Sequence, residues 1–137
     1  MNGPVLTPRP SRIALIGTCV PRHCGIATFT NDLQQALSTA DPNVAAMTIA
    51  MTDDKNAYAY PDRVPLEIQH ADPASYEVAA DFLNVADIEI VSLQHEFGIF
   101  GGEAGEHVLG LVRGLKAPLV TTLHTVLATP NPSQRRV

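Results

Sequence analysis

Apolar runs alternate with amphipathic stretches along most of the chain. Five short runs are rich in apolar and β-branched residues and end at turn-forming residues, which predicts β-strands. They span residues 12–18, 44–51, 64–69, 88–94 and 118–124. The first run, RIALIGT, is apolar without alternation, as is typical of a strand buried on both faces of a sheet.

Three stretches between these runs have the period of an amphipathic helix. The first is predicted to face the sheet with Ile26, Phe29, Leu33 and Leu37. The second begins with Asp72 as N-cap and Pro73 as first helical residue. Its apolar positions are Tyr76, Ala79, Phe82, Leu83 and Ala86. The third is predicted from about Glu103 to Leu115, with Ala104, Val108, Leu111, Val112 and Leu115 facing inward.

This alternation predicts an α/β fold, a Rossmann-like parallel sheet with helices on both faces. Residues 1–11 are rich in proline and predict a flexible tail, so the domain is expected over residues 12–137. Asn131 and Pro132 resemble the N-cap and first position of one more helix, of which the sequence contains only the first turn. We therefore expect a truncated chain.

Composition narrows the class of protein. The 137 residues are 45% hydrophobic and 17% charged, which fits one globular domain. The net charge of −5 provides no basic surface for nucleic acid. Cys19 and Cys24 are the two cysteines, too few for a disulfide framework or a four-cysteine zinc site, which favours a reducing, cytoplasmic setting. No apolar run has the length of a membrane helix, and peripheral membrane contact stays open.

Unusual polar residues follow three of the predicted strands. Arg22, His23, Cys24 and Gly25 follow the first strand, His95 and Glu96 the fourth, and His124 and Thr125 the fifth. The carboxyl ends of parallel strands share one edge of the sheet, where ligands bind in open α/β folds. The sequence therefore predicts a ligand site at this edge, although any one of these histidines taken alone would more often be a structural, hydrogen-bonded residue.

Glycines mark two further candidate positions. Gly25 opens the first helix, where free N–H groups favour an anion, and a plain strand-to-helix turn is the alternative. Thr28 there is expected to bond a ligand or the helix itself. Gly101 and Gly102 precede the third helix and predict either an anion or sugar-hydroxyl site or close packing. The glycine patterns of dinucleotide-binding and P-loop proteins are absent from the sequence. The sequence also contains no closely spaced pair of metal-ligating residues, so no metal site is predicted.

Three segments in order, RIALIG leading into PRHCGIATFTNDL, then IVSLQHEFGIFGG, then PLVTTLHT, resemble one enzyme family. The resemblance is to the N-terminal, acceptor-side domain of retaining GT-B glycosyltransferases of the family-4 type, and it covers about residues 12–130. It implies sugar transfer from a nucleotide sugar to the hydroxyl of a glycan, lipid or small-molecule acceptor, without metal or other cofactor. It also implies a second, donor-binding domain that these residues do not contain, so the chain alone is expected to be inactive.

The resemblance also implies roles for individual residues. His124 matches a histidine that contacts the transferred sugar near its reacting carbon, and it is the predicted catalytic residue. The predicted donor phosphate and sugar site comprises Cys24, Gly25, Ile26 and Thr28. The predicted acceptor site comprises Arg22, His95, Glu96, Gly101 and Gly102. Cys24 stands where many members have the first of two glycines. The alternative function is a stand-alone α/β module that binds an anionic metabolite without catalysis.

Overall fold

A five-stranded parallel sheet forms the centre of the computed structural model, which describes residues 9–53 and 58–137. The strands are β1 (Arg12–Gly17), β2 (Ala45–Thr52), β3 (Leu66–Gln69), β4 (Ile90–His95) and β5 (Leu119–Leu123). They are hydrogen-bonded in the order β3-β2-β1-β4-β5, and every neighbouring pair is parallel. The α/β, Rossmann-like architecture predicted from the sequence is confirmed, with all five strands ending within about two residues of their predicted bounds.

Helices cover both faces of this sheet. They are α1 (Gly25–Ala40), α2 (Pro73–Val85) and α3 (Val108–Gly114). α2 and α3 pack together over one face, where the apolar core lies, and α1 lies on the other face against β1 and β2. The predicted cap of α2 is confirmed, since the Asp72 carboxylate accepts a hydrogen bond from the Ala74 N–H at 3.1 Å and Pro73 follows it.

The hydroxyl group of Tyr76 lies in the core between the sheet and α2, and its hydrogen bonds are satisfied. Tyr76 is fully buried, and its hydroxyl donates to the carbonyl oxygen of His70 at 3.0 Å. The same hydroxyl accepts from the Gly101 N–H at 2.9 Å. This pair of bonds ties the loop after β4 to the end of β3, so the loop crosses the carboxyl edge of the sheet.

The buried face of α1 differs from the predicted one. Ala27, Thr30 and Gln34 are buried, whereas Phe29 is 43% exposed and Leu33 is half-buried. The prediction failed because it counted apolar side chains alone. Gln34 is buried at low cost, since its Nε2 donates to the Ala46 carbonyl at 2.8 Å and its Oε1 accepts from the Thr48 hydroxyl at 3.2 Å.

The third predicted helix begins five residues later than expected, at Val108 instead of about Glu103. Glu103–Gly105 forms only a short 3-10 turn. The reason is the backbone: Gly102, Ala104 and Gly105 have φ of 81°, 54° and 84°, in the left-handed region that a right-handed helix excludes. Ala104 is half-buried, and Val108 and Leu111 are buried as predicted.

The structure tests only part of what was predicted for the two ends of the chain. Most of the predicted tail, residues 1–8, lies outside the described residues, as do residues 54–57 of the predicted loop after β2. Ser11 is already anchored, because its hydroxyl donates to Glu89 at 2.9 Å. At the other end Asn131 and Gln134 exchange two bonds, at 2.8 and 2.9 Å, as a capping box does, although residues 132–136 form a turn and not a helix.

Candidate functional site

The strand order creates a crevice at the carboxyl edge of the sheet. β2 and β3 lie on one side of β1, whereas β4 and β5 lie on the other. The chain leaves β1 towards α1 on one face and leaves β4 towards α3 on the opposite face. Loops that diverge in this way leave a gap between neighbouring strands, the usual ligand position in open α/β sheets.

Cys24 forms the start of α1 beside this crevice. Its backbone is extended, with φ −157° and ψ 158°, and its Sγ accepts from the Ala27 N–H at 3.4 Å, so it is the N-cap. The sulfur also lies 3.0 Å from the buried Thr18 hydroxyl. Thr28 donates to the Cys24 carbonyl at 3.5 Å, within the helix. The local interactions of both side chains are therefore those of a helix start.

Gly25 leaves the first turn of α1 accessible. A Cβ built on Gly25 meets no atom within 4 Å, so the glycine is not required by packing in the described structure. The first N–H groups of a helix, here those of Gly25 and Ile26, have no intrahelical acceptor. Ile26 is half-buried and packs against the core. The helix start thus offers N–H donors and an open approach, which together suit an anion.

His124 is held beside the N-terminal part of α1. Its Nε2 lies 3.0 Å from Gln94 Oε1, and the Gln94 Nε2 donates to the Ser92 hydroxyl at 3.1 Å. The amide oxygen of Gln94 only accepts, so Nε2 of His124 is the donor in this bond, and in the neutral ring Nδ1 is then an acceptor. The His124 ring also meets Phe29 edge-on, with centroids 4.9 Å apart. Phe29 follows Gly25 by about one helical turn.

His95 lies on the other face of the sheet. It is only 6% exposed, and its ring stacks on Phe100 and meets Phe97 edge-on, at centroid distances of 5.7 and 4.9 Å. Neither ring nitrogen has a hydrogen-bond partner among the described residues. Burial is the largest influence on the pKa of His95 and lowers it. Glu96 raises this pKa and His124 lowers it, and overall the pKa lies below its ordinary value. The imidazole is therefore neutral at pH 7.

The predicted cluster of histidines is thus divided between two faces. His95 pairs with Leu123 in the β4–β5 register, so His124 is one residue further along and points to the opposite face. The main chains still touch, since the His124 N–H donates to the His95 carbonyl at 2.9 Å. His23 is exposed in the loop after β1. Glu96 accepts from the Thr125 hydroxyl, which joins the loops after β4 and β5.

The remaining predicted acceptor residues lie elsewhere. Arg22 turns towards β2, where it forms an ion pair of 3.2 Å with Asp53 and donates to the Met51 carbonyl at 3.5 Å. A Cβ on Gly101 would lie 1.9 Å from the His70 carbonyl oxygen, so this glycine is required by close packing. The helix N-terminus predicted at Gly101 and Gly102 is wrong, because α3 begins at Val108. The acceptor roles of these residues stay predictions.

A cavity that the sequence analysis missed opens beside His95. It has a volume of about 380 Å³ and lies between α3, the inner face of β4 and β5, and the segment after β5. Its polar lining comes from His95, Thr121, Thr125 and Gln134, and the rest of the lining is apolar. The available signal was the alternation in β5, which places Leu119, Thr121 and Leu123 on one face.

Among residues 9–53 and 58–137, no three His, Cys, Asp or Glu side chains gather closely enough to hold a metal ion. Within the same ranges, no helix has both the length and the apolar character that crossing a bilayer requires. Comparison with known proteins gives no match to a family model, to a curated protein or to a solved structure.

Proposed function

We propose that this chain is the acceptor-side domain of a retaining GT-B glycosyltransferase of the family-4 type. Such an enzyme moves a sugar from a nucleotide sugar to an acceptor hydroxyl, without a metal ion. The proposal rests on the three resembling segments, and one observation supports it most. His124, Gln94 and Phe29 join the end of β5, the end of β4 and the N-terminal part of α1 around one crevice.

The start of α1 is the proposed position of the donor's diphosphate. The N–H groups of Gly25 and Ile26 have no intrahelical acceptor, and the space beside Gly25 is open, since an added Cβ would meet no atom within 4 Å. α1 is 16 residues long, so its N-terminus carries the full partial positive charge of a helix dipole. A departing nucleoside diphosphate gains negative charge in the transition state, and donors already fixed at that point stabilise it without reorganisation.

His124 is proposed to orient the transferred sugar. With Nε2 bonded to Gln94, its Nδ1 is an acceptor for a sugar hydroxyl, and the ring cannot rotate without losing the bond to Gln94. In the proposed reaction the bond between the anomeric carbon and the diphosphate oxygen breaks. The diphosphate departs with the bonding electron pair, the acceptor hydroxyl oxygen bonds the same carbon from the same face, and the proton of that hydroxyl passes to the departing diphosphate. The contribution of this domain is positioning and charge stabilisation.

The acceptor is proposed to approach between the loops after β4 and β5, where Glu96 and Thr125 are joined beside His124. The acceptor is proposed to be a glycan, a lipid or a small molecule. A second domain, outside these 137 residues, is proposed to hold most of the nucleotide sugar in a cytoplasmic enzyme. We therefore expect no sugar transfer by this chain alone, and reproducible turnover by it would contradict that part.

A second function follows from the same helix start. A stand-alone module that binds an anionic metabolite needs the open N–H groups of Gly25 and Ile26 but has no need of a fixed His124. The two functions therefore differ in whether the sugar, and not only the phosphate, is recognised.

The test is an NMR titration of ¹⁵N-labelled chain with nucleoside diphosphates and the corresponding nucleotide sugars. We expect saturable shifts of the Gly25 and Ile26 amides, with His124 ring shifts that appear only with the correct sugar. Gly25→Ala should weaken binding about tenfold or more by blocking backbone approach, without a packing cost. Gly98→Ala is the matched control, since its Cβ also meets nothing within 4 Å.

Each outcome decides between the functions. Amide shifts that are equal for all phosphates and leave the His124 ring unchanged would favour the metabolite-binding module. No shift at Gly25 with any phosphate compound at millimolar concentration would contradict both functions.

A further inference from the structure

The cavity beside His95 has the size and lining of a small-molecule site. Its volume of about 380 Å³ lies within the range of known ligand pockets, roughly 300–1,000 Å³. Most of its wall is aliphatic or aromatic. The apolar lining includes Leu93, Phe97, Val108, Val112, Leu119 and Leu123. No side chain of the described lining carries a full charge, so the cavity favours an uncharged, largely apolar molecule.

His95 is the exception in this wall. Its ring is 6% exposed, and both nitrogens are buried without a hydrogen-bond partner among the described residues. Buried polar groups in native proteins nearly always have a hydrogen-bond partner. An imidazole without a partner in a cavity wall therefore indicates that a bound molecule supplies the partner. A neutral imidazole has one donor and one acceptor nitrogen, and a hydroxyl group likewise both donates and accepts.

The charges around His95 favour a ligand with a hydroxyl group over a ligand with a carboxylate. Glu96 follows His95 directly, and burial disfavours the imidazolium form of the ring. A carboxylate in the cavity would therefore face a neutral ring and a neighbouring negative charge, with no cationic side chain in the described lining. A hydroxyl group avoids both costs, because it carries no charge into the apolar wall.

We propose that this cavity binds an apolar alcohol, with the hydrocarbon part against β5 and α3 and the hydroxyl group bonded to His95. The His95 ring lies on the opposite face of the sheet from the His124 ring, and Thr125 is the one residue of the cavity lining that also belongs to the proposed acceptor approach. This inference goes beyond the proposed function. Its test does not depend on whether the chain belongs to a glycosyltransferase.

The test uses octanol as the probe and octanoate as its charged counterpart. Binding to the chain is measured by calorimetry, and the His95 ring nitrogens are followed by ¹⁵N NMR. We expect saturable binding of octanol with a shift of the His95 ring resonances, and octanoate weaker by about tenfold or more. Tighter binding of octanoate, or octanol binding that leaves the His95 ring unshifted, would overturn the proposal.

Two variants separate the hydrogen bond from the cavity. His95→Phe keeps an aromatic ring and removes the polar partner, so octanol binding should weaken about tenfold, the weight of one bond to a buried group. His107→Phe, at a histidine outside this cavity, should bind as the unchanged chain does. Val112→Phe fills the cavity and should abolish binding while His95 remains. If His95→Phe does not fold, full octanol affinity in folded Val112→Phe would still overturn the proposal.

Discussion

Gly101 is the residue at which an added methyl group has the clearest consequence. A Cβ there would lie 1.9 Å from the backbone oxygen of His70, and backbone yields less than a side-chain end. We expect Gly101→Ala to lower the free energy of unfolding by about 2 kcal/mol or more, because overpacking forces the loop away from the Tyr76 hydroxyl. Urea unfolding measures this. Gly98→Ala, in the same loop with open space around it, should change stability little, and equal losses would contradict the packing argument.

We expect the free energy of unfolding to depend on pH because of His95. Burial lowers its pKa in the folded state below the ordinary value of 6.5, so the unfolded chain binds more protons as pH falls below that value. Stability should therefore decrease as pH falls from about 6.5 towards the lower, folded pKa. Thermal unfolding at several pH values checks this. His95→Phe should flatten the curve in that range, and a curve as steep as that of the unchanged chain would show that another group is responsible.

Glu89 provides an internal comparison for that experiment. Hydrogen bonds from the Arg12 and Ser11 N–H groups and the Ser11 hydroxyl lower its pKa. Its contribution is thus present above its ordinary pKa of 4.5 and is lost as pH falls below it. The two groups act in different pH ranges, so Glu89 does not account for a loss that begins near pH 6.5.

The sequence indicates which residues reach the carboxyl edge of the sheet but not how they divide there. The positions of His95 and His124 after β4 and β5 follow from the alternation of strands and helices. Their opposite faces depend on the register between β4 and β5, which pairs His95 with Leu123, and the sequence alone does not specify that register. Gln94, the partner of His124, was overlooked because it lies inside an apolar strand.

At the scale of elements, α1 is distinguished by the polar contacts of its buried face. Gln34→Ala removes the partners of the Ala46 carbonyl and the Thr48 hydroxyl. Leaving such buried groups unsatisfied costs about 1–3 kcal/mol each, and we expect a loss of about 2 kcal/mol in urea unfolding. Gln35→Ala, on the exposed side of the same helix, is the control and should have almost no effect. A similar loss in both variants would mean that helix propensity, and not these bonds, is responsible.

Element type proved easier to predict than element boundaries or buried faces. The strands follow from runs of apolar residues, which report burial directly. α3 begins late because the positive φ values of Ala104 and Gly105 interrupt the helix, and Ala104 in particular gives no sequence signal of that conformation. The face of α1 was wrong because Thr30 and Gln34 are buried through hydrogen bonds, which a count of apolar positions does not detect.

At the scale of the whole molecule, the two edges of the sheet differ. β3 is only four residues long and carries Glu67, features that discourage pairing with another chain. β5 pairs with β4 alone, has the sequence LVTTL without a charge, and leaves Val120 and Leu123 more than half exposed, at 55% and 57%. An uncharged edge strand with exposed apolar side chains is a template for association between copies of a chain.

We therefore expect the average mass of the chain in sedimentation velocity to rise with protein concentration. Val120→Lys places a charge on the β5 edge strand and should keep the chain monomeric over the same range, because pairing would bury that charge. Val78→Lys is matched, since Val78 has the same 55% exposure but lies on α2, away from the open edge. If both lysine variants suppress association equally, net charge and not the β5 edge controls it. If neither does, the association surface lies outside β5.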